Sequence, residues 1–70
     1  MFLTTPINLN DFIINMKGEH NEKGKRHGIW TSYYSNGQLG WIGKYINGQQ
    51  SGLWEDFYSN GKIESIEFFI

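Results

Sequence analysis

The chain has 70 residues, no cysteine, a formal net charge of −1 and 17% aromatic side chains. A chain this short builds at most one small domain, and without cysteine it has neither a disulfide nor a thiolate metal site to staple it. The near-neutral balance argues against a general nucleic-acid or membrane-surface binder, and the missing cysteines fit a cytoplasmic protein.

The start of the chain, Met1 to Pro6, lacks a basic segment and a long apolar run, so no targeting segment is expected. Nothing approaches the ~18 apolar residues of a membrane helix. Residues 7–16 read as a strand or a short helix, which Asn10 or Asp11 would cap. No copy of any later segment is found up to Met16. Residues 1–17 are therefore expected to be a cap on the rest, since terminal repeats are usually atypical.

The next segment repeats. The block at 24–39 recurs at 48–63 with seven identical positions: Gly24, Gly28, Trp30, Tyr34, Ser35, Asn36 and Gly37 match Gly48, Gly52, Trp54, Tyr58, Ser59, Asn60 and Gly61. Three further positions exchange one apolar residue for a similar one. Residues 18–70 are thus an array of one small unit. Asn36-Gly37, Asn47-Gly48 and Asn60-Gly61 are expected to form type I′ turns, because Asn-Gly readily takes positive φ at both central positions. Lys23-Gly24 holds the equivalent repeat position and should turn similarly. Between the turns lie β-rich runs at 29–34, 38–46, 53–58 and 62–70, and no sustained helical period. The expected fold is mainly β: a single-layer, twisted antiparallel meander of hairpins with a short N-terminal cap, one domain overall.

Alternation along these strands assigns faces. Trp30, Ser32 and Tyr34 share one, with Leu39, Trp41, Gly43 and Tyr45, then Trp54, Tyr58, Ile63 and Phe69. The other carries Ile29, Tyr33, Ile42, Ile46, Leu53, Phe57, Ile66 and Phe68. One layer cannot cover apolar groups on both sides. One face should close on itself and the other meet the N-terminal segment, a second copy or a partner. The Gly28-x-Trp30 and Gly52-x-Trp54 pairs suggest rings lying flat on bare glycine backbone. The last residues, Ile66 to Ile70, repeat the 42–46 run and form an apolar edge strand suited to pairing with another chain.

The unit Gly-x-Trp-x-x-Tyr/Phe-Tyr-Ser-Asn-Gly-x-Leu/Ile, with Tyr45-Ile46-Asn47-Gly48 between copies, resembles the MORN repeat. It is closest to the variant in small YwqK-type antitoxin-like proteins. The resemblance covers residues 18–70 and implies β-hairpin units in an elongated sheet. It also implies scaffold, dimerisation or protein-binding roles, lipid binding having been proposed for some members. In MORN-containing enzymes, catalysis comes from other domains.

A search for chemistry finds little. A zinc site would need both His20 and His27 plus Glu19 or Glu22. The two Ser-Asn-Gly copies are turn formers rather than nucleophiles. Glu55 and Asp56, adjacent on a strand, point to opposite faces and cannot form an acid–base pair. Gly43-Lys44 lacks a phosphate-loop frame. Basic residues up to Gln50 outnumber acids five to three, whereas Glu55, Asp56, Glu64 and Glu67 stand against Lys62 alone thereafter. This is either a pair of solvated faces or an oriented contact. The acids beside Trp54 disfavour a nucleic-acid platform, and lipid binding lacks the usual basic patch of about four to eight residues.

The expectation is a non-enzymatic protein-binding module with no cofactor and no metal. It would inhibit or neutralise one protein partner, a toxin or a host target, by occlusion. Trp41, Phe68, Phe69, Trp30, Tyr34, Trp54 and Tyr58 are the candidate contacts, with internal packing as the competing role for the two Gly-x-Trp rings. The alternative is a structural module that forms a homodimer through the sheet edge.

Overall fold

The structure, a computed structural model, describes residues 12–70. Five strands follow in order: β1 (Ile13–His20), β2 (Arg26–Tyr34), β3 (Leu39–Ile46), β4 (Gln49–Phe57) and β5 (Ile63–Phe69). Each pairs antiparallel with the next, in the order β1-β2-β3-β4-β5, in one open sheet. No helix occurs among the described residues. This is the mainly β, single-layer meander that the repeat and its turns predict. The expected cap at residues 1–17 falls partly outside the described residues, as do its proposed helix caps Asn10 and Asp11. Residues 13–17 of it lie in β1, which runs on across the 17/18 boundary.

The turns are of two kinds, where one had been expected. Asn47 and Gly48 both take positive φ, 50° and 85°, and form the two-residue turn between β3 and β4. At Asn36-Gly37 and Asn60-Gly61 only the glycine is left-handed. There Gly37 N–H donates to the Tyr34 carbonyl and Tyr34 N–H to the Gln38 carbonyl, and Gly61, Tyr58 and Lys62 repeat the pattern. These are three-residue loops ending in a left-handed glycine. Asn36 and Asn60 serve them differently: each side-chain oxygen accepts the backbone N–H two residues on, from Gln38 and Lys62. Lys23-Gly24 closes a loop of this second kind, with Asn21 in the bonding role.

Two register irregularities recur once per unit. Gly18 stands opposite the stretch Gly28-Ile29-Trp30, and Gly43 opposite Gly52-Leu53-Trp54, where the pairing skips. Gly28 and Gly52 have φ of 91° and 70°, which lets the strand bulge and swing each tryptophan over the facing glycine. The flat contact expected at the Gly-x-Trp glycine therefore belongs to the glycine on the neighbouring strand. A Cβ on Gly18 would collide with the Trp30 indole, and one on Gly43 with that of Trp54. The second irregularity pairs Leu39 with Tyr33 and Ile63 with Phe57. Paired residues share a face, so Leu39 and Ile63 leave the tryptophan side on which simple alternation puts them.

The core is a row of rings, one from each strand. His20, Trp30, Tyr45, Trp54 and Phe69 meet edge to face at centroid distances of 5.1, 6.1, 5.1 and 6.1 Å. Such T-shaped contacts place the positive edge of one ring on the negative face of the next. Trp30 and Trp54 are 5% and 4% exposed and are the buried large apolar residues among those described. Their indole N–H groups donate to the Glu19 and Lys44 carbonyls at 3.0 and 3.1 Å, so burial leaves no donor unpaired. The matching contacts make β1 a divergent copy of β3: Gly18, Glu19 and His20 do for Trp30 what Gly43, Lys44 and Tyr45 do for Trp54.

Candidate protein-binding surfaces

The two faces of the sheet differ in kind. On the ring face, the first unit is closed by a cation. The Arg26 guanidinium lies 4.4 Å from the Trp30 ring centroid and 5.3 Å from that of Tyr45. It donates to the Tyr45 hydroxyl at 3.1 Å. Ser32, two residues beyond Trp30, is fully buried and accepts the Trp41 backbone N–H. In the second unit, Gln50 takes the position of Arg26, Asp56 that of Ser32, and Glu67 that of Gly43. Trp41 leans on Trp54, centroids 5.0 Å apart and planes 33° from parallel. A cleft of about 260 Å³ opens there, lined by Trp41, Tyr45, Gln50, Trp54, Asp56 and Glu67.

The opposite face is open and mixes exposed apolar groups with Lys44 and Glu55. Ile29, Leu53 and Ile66 are exposed, and Phe68 is 73% exposed. Leu53 pairs with Phe68, whereas Ile66 pairs with Glu55 and Ile29 with Lys44, so charged side chains are interleaved with the exposed apolar ones. A shallow groove of about 320 Å³ runs between Ile29, Ile42 and Leu53, with Lys44, Ser51 and Glu55 at its rim. Isolated exposed apolar residues are ordinary, so the Leu53–Phe68 pair, with Ile66 two residues from Phe68 on the same strand, is the part of this face that stands out.

The sequence candidates divide between core and surface. Trp30 and Trp54 are core and offer a partner almost nothing. Phe69 is half-buried against Trp54. Tyr34 is half-buried and donates its hydroxyl to the Phe57 carbonyl at 2.6 Å, bridging the two units. Trp41 is half-buried and walls the cleft. Tyr58 and Phe68 are exposed, Phe68 on the apolar face. Alternation does point to Ile29, Leu53 and Ile66, but ranking aromatic residues first passes over them. Arg26, Asp56 and Glu67 are missed because their meaning lies in how the two units differ. Among the described residues, no three histidine, aspartate or glutamate side chains gather as metal ligands. His20 is spent on Trp30, and His27 Nδ1 accepts the Asn47 N–H at 3.3 Å.

A family model described as MORN repeat variant matches residues 26–39 and 50–70, which is half of the chain. The chain belongs to this MORN repeat family. Both matched segments open on a Gly-x-Trp strand, so the family pattern coincides with the two core tryptophans and their bulges. No curated protein and no solved structure matches the chain.

Proposed function

We propose that this MORN repeat protein is a non-enzymatic protein-binding module that neutralises one partner by occlusion, in the manner of the small YwqK-type antitoxin-like proteins it resembles. The partner is a toxin or a host target met in the cytoplasm. One observation carries this reading. A single-layer sheet packs its ring row of His20, Trp30, Tyr45, Trp54 and Phe69 on one face, yet keeps Ile29, Leu53, Ile66 and Phe68 in solvent on the other. Apolar groups held on paired strands cost little entropy to bury against a partner. The test is titration of the captured partner's own activity with the purified chain. Loss of that activity at one equivalent supports occlusion, and full activity in the bound state rejects it.

A second reading has its own support. Among the described residues, β5 is an edge strand, with Phe68 on its flank. Edge pairing would join two copies. Sedimentation equilibrium decides: a concentration-independent monomer rejects this reading, and a tight dimer that engages no other protein replaces the first one.

A further inference from the structure

The two units of the array share one ring geometry but differ in what covers the tryptophan. We propose that the cleft walled by Trp41, Asp56 and Glu67 binds the guanidinium group of an arginine presented by a protein partner. The first unit supplies the template. There the chain's own Arg26 sits on the Trp30 ring and donates to the Tyr45 hydroxyl. Its second contact is with Met16 Sδ at 3.9 Å, and Met16 is the counterpart of Trp41. In the second unit Gln50 replaces that cation and Trp41 lies against Trp54, which is 4% exposed, so a guanidinium there would stack on the half-buried Trp41 ring. Tyr45, whose hydroxyl accepts from Arg26, gives way to Phe69, so acceptors for an external guanidinium must come from other positions. Met16 gives way to Trp41, adding a second indole. Ser32 gives way to Asp56 and Gly43 to Glu67, adding two carboxylates at the rim. Asp56 already accepts one hydrogen bond from the Ser65 hydroxyl, at 3.0 Å to Oδ2, which holds the carboxylate in place.

A flat cation suits this cleft better than a point charge. Guanidinium stacks on an indole face and presents a fork of donors to carboxylates. An ammonium group keeps more of its hydration and lacks the plane. The inference concerns the face opposite the apolar surface and goes beyond the function proposed above. A partner gripping the β4–β5 edge would reach both.

The test is an NMR titration of the full chain with N-acetyl-Gly-Arg-Gly-amide, following the three indole N–H signals. Lysine and citrulline versions of the peptide serve as comparisons. The Trp41 and Trp54 signals should shift saturably while Trp30 stays in place. Citrulline should bind at least about tenfold more weakly and lysine about threefold more weakly, as the loss of charge and of the plane requires. Asp56→Asn and Glu67→Gln, both isosteric, should each weaken the arginine peptide by about threefold or more. Gln50→Arg should fill the cleft from within and abolish binding, with the fold retained by circular dichroism. Equal binding of citrulline or lysine, no saturable shift, or indifference to both carboxamide variants would overturn the proposal. Because the titration uses no partner protein, its failure leaves the apolar-face reading standing.

Discussion

Gly43 lies directly beneath the Trp54 indole, whose N–H reaches on to the Lys44 carbonyl at 3.1 Å. Gly18 and Trp30 repeat the arrangement one unit earlier. The tryptophan is thus buried by backbone, which is how a one-layer sheet makes a core without a second layer. A methyl group at Gly43 has no room, since it meets the ring face rather than the end of a flexible chain. Gly43→Ala should cost about 3 kcal/mol, the upper range of overpacking. Gly61→Ala, where the strain is that of a left-handed φ, should cost about 1–2 kcal/mol. Urea denaturation followed by tryptophan fluorescence measures both, and an equal cost would contradict the cradle.

The turns yield an ordering. Asn47 has φ of 50° and accepts a side-chain hydrogen bond from Asn21 Nδ2 at 2.7 Å, tying the β1–β2 turn to the β3–β4 turn. Asn60 has neither feature and bonds only its own loop, through Lys62. Asn47→Ala should therefore cost about 2 kcal/mol and Asn60→Ala about 1 kcal/mol or less. In a domain of this size that is roughly a 4–8 °C shift in Tm per kcal/mol. A reversed order in thermal melts would mean that the type of turn is not what matters.

Trp41 and Trp54 touch, yet their roles separate. Trp54 is buried among Gly43, Tyr45 and Phe69, and Trp54→Ala should cost about 3–5 kcal/mol. That is comparable with the whole stability of about 4–10 kcal/mol expected for a domain of this length. Trp41 is half-buried, and its stacking on Trp54 is worth about 0.5–1.5 kcal/mol. Trp41→Ala should leave a cooperative circular-dichroism melt, lowered by several degrees, and weaken partner binding at the cleft. Matched losses of fold and binding would make Trp41 core.

The positions of the turns and four of the five strands were legible because Asn-Gly pairs and β-rich runs are local signals. Turn type was less so, since Asn36-Gly37 and Asn47-Gly48 are the same dipeptide in loops of different length. What separates them is how the flanking strands pair. β1 was largely hidden. It matches β3 through Gly18 and Gly43, then His20 and Tyr45, but its turn is one residue longer and it carries Met16 where β3 has Trp41. The spacing of Gly18 to His20 was the signal available. Face assignment failed at Leu39 and Ile63, where a bulge changes the register and period-two alternation cannot follow it. Trp30 and Trp54 stood out as aromatic residues in both roles, and only the facing glycines decide for the core.

The apolar face carries the central claim, and substitutions there should spare the fold. Leu53 and Phe68 pair with each other in solvent, so Leu53→Ser and Phe68→Ser together should change the melt by about 1 kcal/mol at most, as exposed sites do. A tagged chain and this double variant, each used to capture proteins from the same lysate of the source or its host, give the most direct test. The account predicts one protein held by the native chain at near-equal stoichiometry and lost with the double variant, while both baits melt alike. The same protein held equally by both baits would contradict it, as would a variant that loses the partner only because it has unfolded.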